Sequence, residues 1–133
     1  MKTPMIFAFG SWLEAQCKVL GLPSVLMDNL DVEGESLCLS QTSAETIEKE
    51  YIDGTRRCKL EVDIVAQGLL ESRNNLINYL TQLVYLFNSL TDYEIDDNYR
   101  ILKATATAPS MQSRTENGYV RYAIAISLTY KEL

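Results

Sequence analysis

Three cysteines, Cys17, Cys38 and Cys58, and a scatter of carboxylates are the residues of this chain with the chemistry to react. A cysteine attacks as its thiolate and needs a base or a cationic neighbour to form it. The sequence contains no histidine. The commonest general base near neutral pH and the commonest metal ligand are therefore missing, and Ser-His-Asp and Cys-His arrangements are excluded. The cysteines are widely separated, odd in number and form no C-x-x-C pair, so neither a zinc site nor a thioredoxin-like motif is supported. Their neighbours are apolar or alternate with apolar residues, which predicts buried free thiols, in keeping with a reducing compartment such as the cytoplasm. Asp28, Asp31, Glu33 and Glu35 lie close together but lack the spacing of an EF-hand loop, and read as a solvated loop. Asp96 and Asp97 are adjacent, with few apolar neighbours to shift a pKa, and read as surface acids. Carboxylate, lysine and tyrosine chemistry stays open in principle. The six glycines are isolated, and no Walker A or G-x-G-x-x-G run offers a phosphate cradle. No cofactor or metal is expected, and the chain reads as a non-enzyme.

Charge narrows the partners. The formal net charge is -6, which disfavours non-specific binding to nucleic acid. A DNA binder usually carries a basic stripe. The densest basic run here is Arg56, Arg57 and Lys59, with acids on both sides. It reads as a solvated strand and turn, or as a local patch that forms salt bridges with a partner. Eight tyrosines are spread along the chain. Single-stranded nucleic acid stacks on aromatics but also needs a positive groove, and none is visible in the sequence. Tyrosine at sheet and subunit contacts is the better reading.

These residues must be carried by a single domain. The chain has 133 residues, 47% hydrophobic and 23% charged, which fits one folded unit with a substantial core. Residues 6–20 read as an amphipathic helix, with Phe9, Trp12, Leu13, Gln16, Cys17 and Leu20 on one stripe, stopped by Gly21. Residues 25–31 read as a short extended stretch, and 36–41 as a strand with Leu37 and Leu39 on one face. A hairpin follows, with strands at 46–52 and 57–66 joined by a turn at Asp53-Gly54. Gly68 is expected to end the outgoing strand. A second helix over 71–88, capped by Ser72 or Glu71, carries Leu76, Ile77, Leu80, Leu83, Val84 and Phe87. An acidic stretch, Asp92, Glu94, Asp96 and Asp97, precedes a strand at 99–107 closed by Pro109. Residues 110–118 are polar and are expected to be mobile. The alternation from Tyr119 to Tyr130 is the strongest strand signal, and this strand is expected to form a long hairpin with 99–107. No internal repeat is seen. The fold class is α+β, a mainly antiparallel sheet covered on one face by one long helix and an N-terminal helix. No secretory leader or membrane span is expected.

Several phrases resemble phage minor capsid proteins of the tail terminator type, small proteins of tailed bacteriophages and prophages. They are Glu50-Tyr51-Ile52-Asp53-Gly54 at the hairpin, the strand Cys58 to Ala66, Ser72-Arg73 opening the main helix, and the closing strand Gly118 to Tyr130. The resemblance covers nearly the whole chain, through short motifs. It implies an α+β fold that assembles as a ring, typically hexameric. Such a ring caps the tail tube, stops its polymerisation and presents the docking surface for the filled head. The implied partners are further copies of the chain, the tail tube protein and a head-completion or neck protein. The implied location is the virion, with assembly in the bacterial host cytoplasm. No sequence-specific nucleic-acid binding and no membrane are implied. A ring needs contacts between unlike surfaces. The expected contact pairs Arg56 and Arg57 of one subunit with Asp92, Glu94, Asp96 and Asp97 of the next, and the polar 110–117 segment with Arg114 is a further contact candidate. Alternatives are a neck adaptor that meets the portal, a small α+β ligand-binding or enzymatic module, and a nucleic-acid-binding accessory protein.

Overall fold

The structure is a computed structural model and describes residues 4–27, 35–95, 97–114 and 118–133. Helix α1 spans Met5–Leu20. The Pro4 carbonyl accepts the backbone N–H groups of Phe7 and Ala8 at 3.1 Å, so the residue that lacks a donor starts the helix by accepting. Met5, Phe9, Leu13 and Cys17 are buried on one stripe, whereas Leu20, expected on that stripe, is exposed. The helix ends as expected at Gly21, in the left-handed conformation at φ 73°. There the N–H groups of Gly21 and Leu22 donate back to the Lys18 and Cys17 carbonyls, and buried Leu22 seals the end.

The strands are β1 (Val25–Met27), β2 (Ser36–Gln41), β3 (Thr46–Glu50), β4 (Arg56–Leu69), β5 (Thr91–Ile95), β6 (Tyr99–Ala106), β7 (Ser110–Arg114) and β8 (Tyr119–Glu132). They form one mixed sheet in which β1 and β2 are parallel and every other pair is antiparallel. Its spine is the β4–β8 ribbon, paired from Arg56 opposite Glu132 to Leu69 opposite Tyr119. Each spine strand has two shorter strands end to end along its other edge: β3 then β2 beside β4, and β7 then β6 beside β8.

Helix α2 spans Arg73–Asn88. It packs on β4, β6 and β8, while α1 reaches both outermost strands, β1 and β5. Leu76, Leu80, Leu83 and Phe87 of α2 are buried, and Ile77 and Val84 flank them half-buried. Phe9 and Trp12 of α1 close on Phe87, at ring separations of 5.8 and 6.3 Å. The two α-helices are equal at 16 residues, and the one long helix of the sequence reading is matched in part, because the 3-10 turn Leu70–Ser72 runs directly into α2 and extends it.

Several sequence expectations change. Gly68 does not end β4, which runs on to Leu69. A Cβ on Gly68 would lie 3.2 Å from Leu76 Cδ2, so this glycine marks where the first turn of α2 presses on the sheet. Ser72 makes no side-chain cap, because the chain enters α2 through the 3-10 turn. The acidic stretch contains a strand, β5, and the segment expected to be mobile contains another, β7. Residues 28–34, 96 and 115–117, with the acids Asp28, Asp31, Glu33 and Asp96, lie outside the described residues.

The structure also contains a repeat that the sequence does not show. The order α1-β1-β2-β3-β4 recurs as α2-β5-β6-β7-β8, and the sheet order β1-β2-β4-β8-β6-β5 reads the same way in both halves. In each half a 16-residue helix comes first, a 5-residue strand leads to the spine, and a 14-residue strand forms it. Gly54 lies in the turn before β4 and Gly118 directly before β8, at φ 89° and 82°. A pseudo-twofold axis therefore passes through the middle of the ribbon. The symmetry breaks at the margins, where β1 is parallel to its neighbour and β5 antiparallel.

Candidate interaction surface

Alternation along β4 and β8 gives the ribbon two unlike faces. Toward the helices point Cys58, Leu60, Val62, Ile64 and Ala66 of β4, and Val120, Tyr122, Ile124, Ile126, Leu128 and Tyr130 of β8, all buried. Away from them point Arg57, Lys59, Glu61 and Asp63 of β4, and Ala123, Ala125, Ser127, Thr129 and Lys131 of β8. On this outer face Arg57, Glu61 and Ala125 are exposed, and the others in that group are half-buried. Farther along the same face Ser36, Cys38, Val65 and Gln67 are buried, and Gln67 accepts a hydrogen bond from Arg121 at 2.7 Å. The uncovered part is thus the half that holds the start of β4 and the end of β8.

A shallow trough of about 290 Å³ crosses the middle of this face, where both flanking strand pairs are interrupted. Thr42, Glu61, Asp63, Thr105, Thr107 and Ser127 contribute to its lining. Partial burial pushes the Asp63 carboxyl up from its ordinary value. Among the described residues no group of histidine, cysteine, aspartate and glutamate is arranged to hold a metal ion.

The cysteines are buried and free, as the sequence predicts. Burial, with Glu14 nearby, pushes the Cys17 thiol up to about 11, and burial also raises Cys58. Both shifts hold these thiols away from the nucleophilic thiolate. Beside Cys58 the fully buried Tyr130 donates its hydroxyl to Glu45 at 2.7 Å and packs edge-on against Tyr99. Burial, reinforced by that carboxylate, raises the Tyr130 phenol.

The residues singled out from sequence fall into two groups. Arg56, Arg57, Asp92, Glu94 and Asp97 gather at one end of the sheet, because β8 brings its C-terminal end between the β3–β4 and β5–β6 hairpins. Arg114 ends β7 and belongs to the other end of the ribbon. Asp96 is outside the described residues. Arg56, Arg57, Asp92 and Glu94 at the first end have partners within the chain. Arg56 donates to both oxygens of Glu132 at 3.1 and 3.0 Å. Arg57 meets Glu48 at 3.3 Å. Arg100, which the sequence reading passed over, donates to Asp92 at 2.9 Å and lies 3.7 Å from Glu94. Asp97 is exposed in the turn between β5 and β6.

The register also assembles a cluster that linear reading missed. One rung across the outer face runs Lys49, Arg57, Lys131, Arg100 through β3, β4, β8 and β6, and the next runs Thr46, Lys59, Thr129, Lys103. Six of the chain's 12 lysines and arginines thereby share two rungs. Lys49 and Lys131 both stand over the Tyr51 ring, each 5.2 Å from its centre. The only linear hint was the 56–59 run, because the other members are separated by up to dozens of residues and meet through strand pairing alone.

Compared with protein-family models and with curated proteins, the chain matches none.

Proposed function

We propose that this chain is a structural assembly protein of the phage tail terminator type. In this reading, copies join into a ring that caps the tail tube, stops its growth and offers a surface for head attachment. The observation that carries the reading is the pair of unlike sheet margins: β1 on one side, parallel to its neighbour, and the exposed, acid-bearing β5 on the other. Edge strands present unpaired backbone groups that another chain can extend. Two different margins suit the head-to-tail contacts from which closed rings are built, whereas identical margins would favour a twofold dimer. The raised thiols fit a protein that acts through its surfaces. The finer picture, a sheet covered by helices on one face with the other turned to a neighbour or to the tube, belongs to the same proposal. Arg56 and Arg57 retain a role at the subunit contact only by exchanging their partners Glu132 and Glu48 for acids of the next subunit.

The test is native mass spectrometry with negative-stain imaging of the purified protein, alone and mixed with polymerising tail tube protein. Closed rings at tube ends and shortened tubes are the expected result. A monomer under both conditions, with tube length unchanged, overturns the proposal. No helix among the described residues is long and apolar enough to cross a membrane.

A further inference from the structure

We infer that the two basic rungs on the outer face form a docking surface for a nucleic-acid backbone, bound weakly and without regard to base sequence. The inference goes beyond tube capping and does not depend on it.

Four neighbouring strands at about 4.8 Å spacing make the patch about 14 Å wide, with about 7 Å between its two rungs. Like charges directly opposite one another weaken a sheet, and here Arg57, Lys131 and Arg100 stand side by side across three strands. The chain spreads that repulsion. Arg57 and Arg100 lean on carboxylates, Lys59 lies 3.6 Å from Glu61, and Tyr51 sits between Lys49 and Lys131. Lys49, Lys103 and Lys131 are left with no carboxylate within ion-pair distance among the described residues. Lys49 and Lys103 are exposed.

Composition separates a phosphate ligand from a protein one. Protein interfaces are depleted in lysine and serine and centre on aromatic or apolar anchors. The six cations here include four lysines; apart from the Tyr51 ring between Lys49 and Lys131, the strand residues among and beside them on the same face are Thr46, Thr129, Thr105 and Ser127, with no large apolar side chain in either rung. Lysine together with serine and threonine hydroxyls is the donor set that positions a phosphate backbone. The net charge of -6 opposes binding at long range, but ions screen that repulsion beyond about 8–10 Å, leaving the local patch to decide contact. Glu61 and Asp63 on the following rungs set its boundary.

The experiment is fluorescence anisotropy of a labelled 30-base-pair DNA duplex of arbitrary sequence, titrated with the full chain at several salt concentrations. Three neutralised phosphates give a slope of about -0.9 per phosphate in log affinity against log salt, so affinity should fall about fortyfold between 50 and 200 mM salt. K103Q/K131Q should bind less at 50 mM and lose only about three- to fourfold over the same range. K103R/K131R, which keeps the charge, should behave as the parent, and circular dichroism checks that all three fold alike. No binding at 50 mM overturns the inference, as does a K103Q/K131Q response identical to the parent's. A polyglutamate peptide run in parallel should bind far more weakly. Equal binding through the same lysines would overturn the nucleic-acid reading in favour of an acidic protein surface.

Discussion

The two faces of the β4–β8 ribbon are made by the same two strands, residue by alternate residue, yet they obey different rules. On the helix side Leu60, Val62 and Ile64 face Leu128, Ile126 and Ile124, and none is more than 2% exposed. Each such side chain contributes about 1.5–3 kcal/mol by leaving water, and all six belong to the one buried cluster that also holds the inner faces of the helices. On the outer side the partners are Lys59 with Thr129, Glu61 with Ser127 and Asp63 with Ala125. These residues hold little of the fold together, and their charges change sign within two rungs. One face specifies the structure; the other is free to carry a surface for partners.

The largest effect that would test this contrast is at the core. Leu83→Ala, at a fully buried position on α2, should cost about 2–5 kcal/mol, seen as a lower urea midpoint. Thr129→Ala on the outer face should stay within about 0.5 kcal/mol. Similar losses at the two sites would erase the distinction between the faces. Gly68→Ala comes next, since its Cβ would press on Leu76, which is itself fully buried. A loss of about 1–3 kcal/mol is expected from overpacking, and thermal melting should show it. A neutral result would mean that α2 sits less tightly on the sheet than the geometry states.

The smallest effect concerns Asp63 in the outer trough. Burial raises its pKa above the ordinary 3.8, so the folded state holds the proton more tightly than the unfolded chain does. The resulting destabilisation is absent below the unfolded value, grows as pH rises through the raised folded value, and is complete above it. Asp63→Asn should therefore raise the urea midpoint at pH 7, and the gain should vanish at pH 3. A gain that persists at pH 3 would point to packing as the cause instead of charge.

Much of the helix-facing side was legible in the residues. Alternation from Tyr119 onward marks β8, Leu37 and Leu39 mark β2, and the period of Phe9, Leu13 and Cys17 marks α1, because an apolar stripe buried against a core leaves its spacing in the chain. β5 and β7 were not legible as strands. Four of the five residues of β5 are exposed, and none of β7 is buried, so no apolar rhythm marks them. Their extended shape comes from pairing with β6 and β8. The repeat of the two halves was hidden for a related reason: what recurs is element length and order, and different side chains satisfy the same packing.

The candidate surfaces divide in the same way. Arg56, Arg57, Asp92 and Glu94 stood out as charges in the linear chain, but only the paired sheet supplied them with Glu132, Glu48 and Arg100 as partners. The residues alone determined an α+β chain with buried thiols, no imidazole chemistry and one apolar stripe per core element, since composition and local period act between near neighbours. Which strands became the margins, and which lysines from distant segments came to share a rung, was decided by register. Hydrogen bonding across strands is indifferent to sequence distance, so Lys49, Lys103 and Lys131 became neighbours only when the ribbon closed.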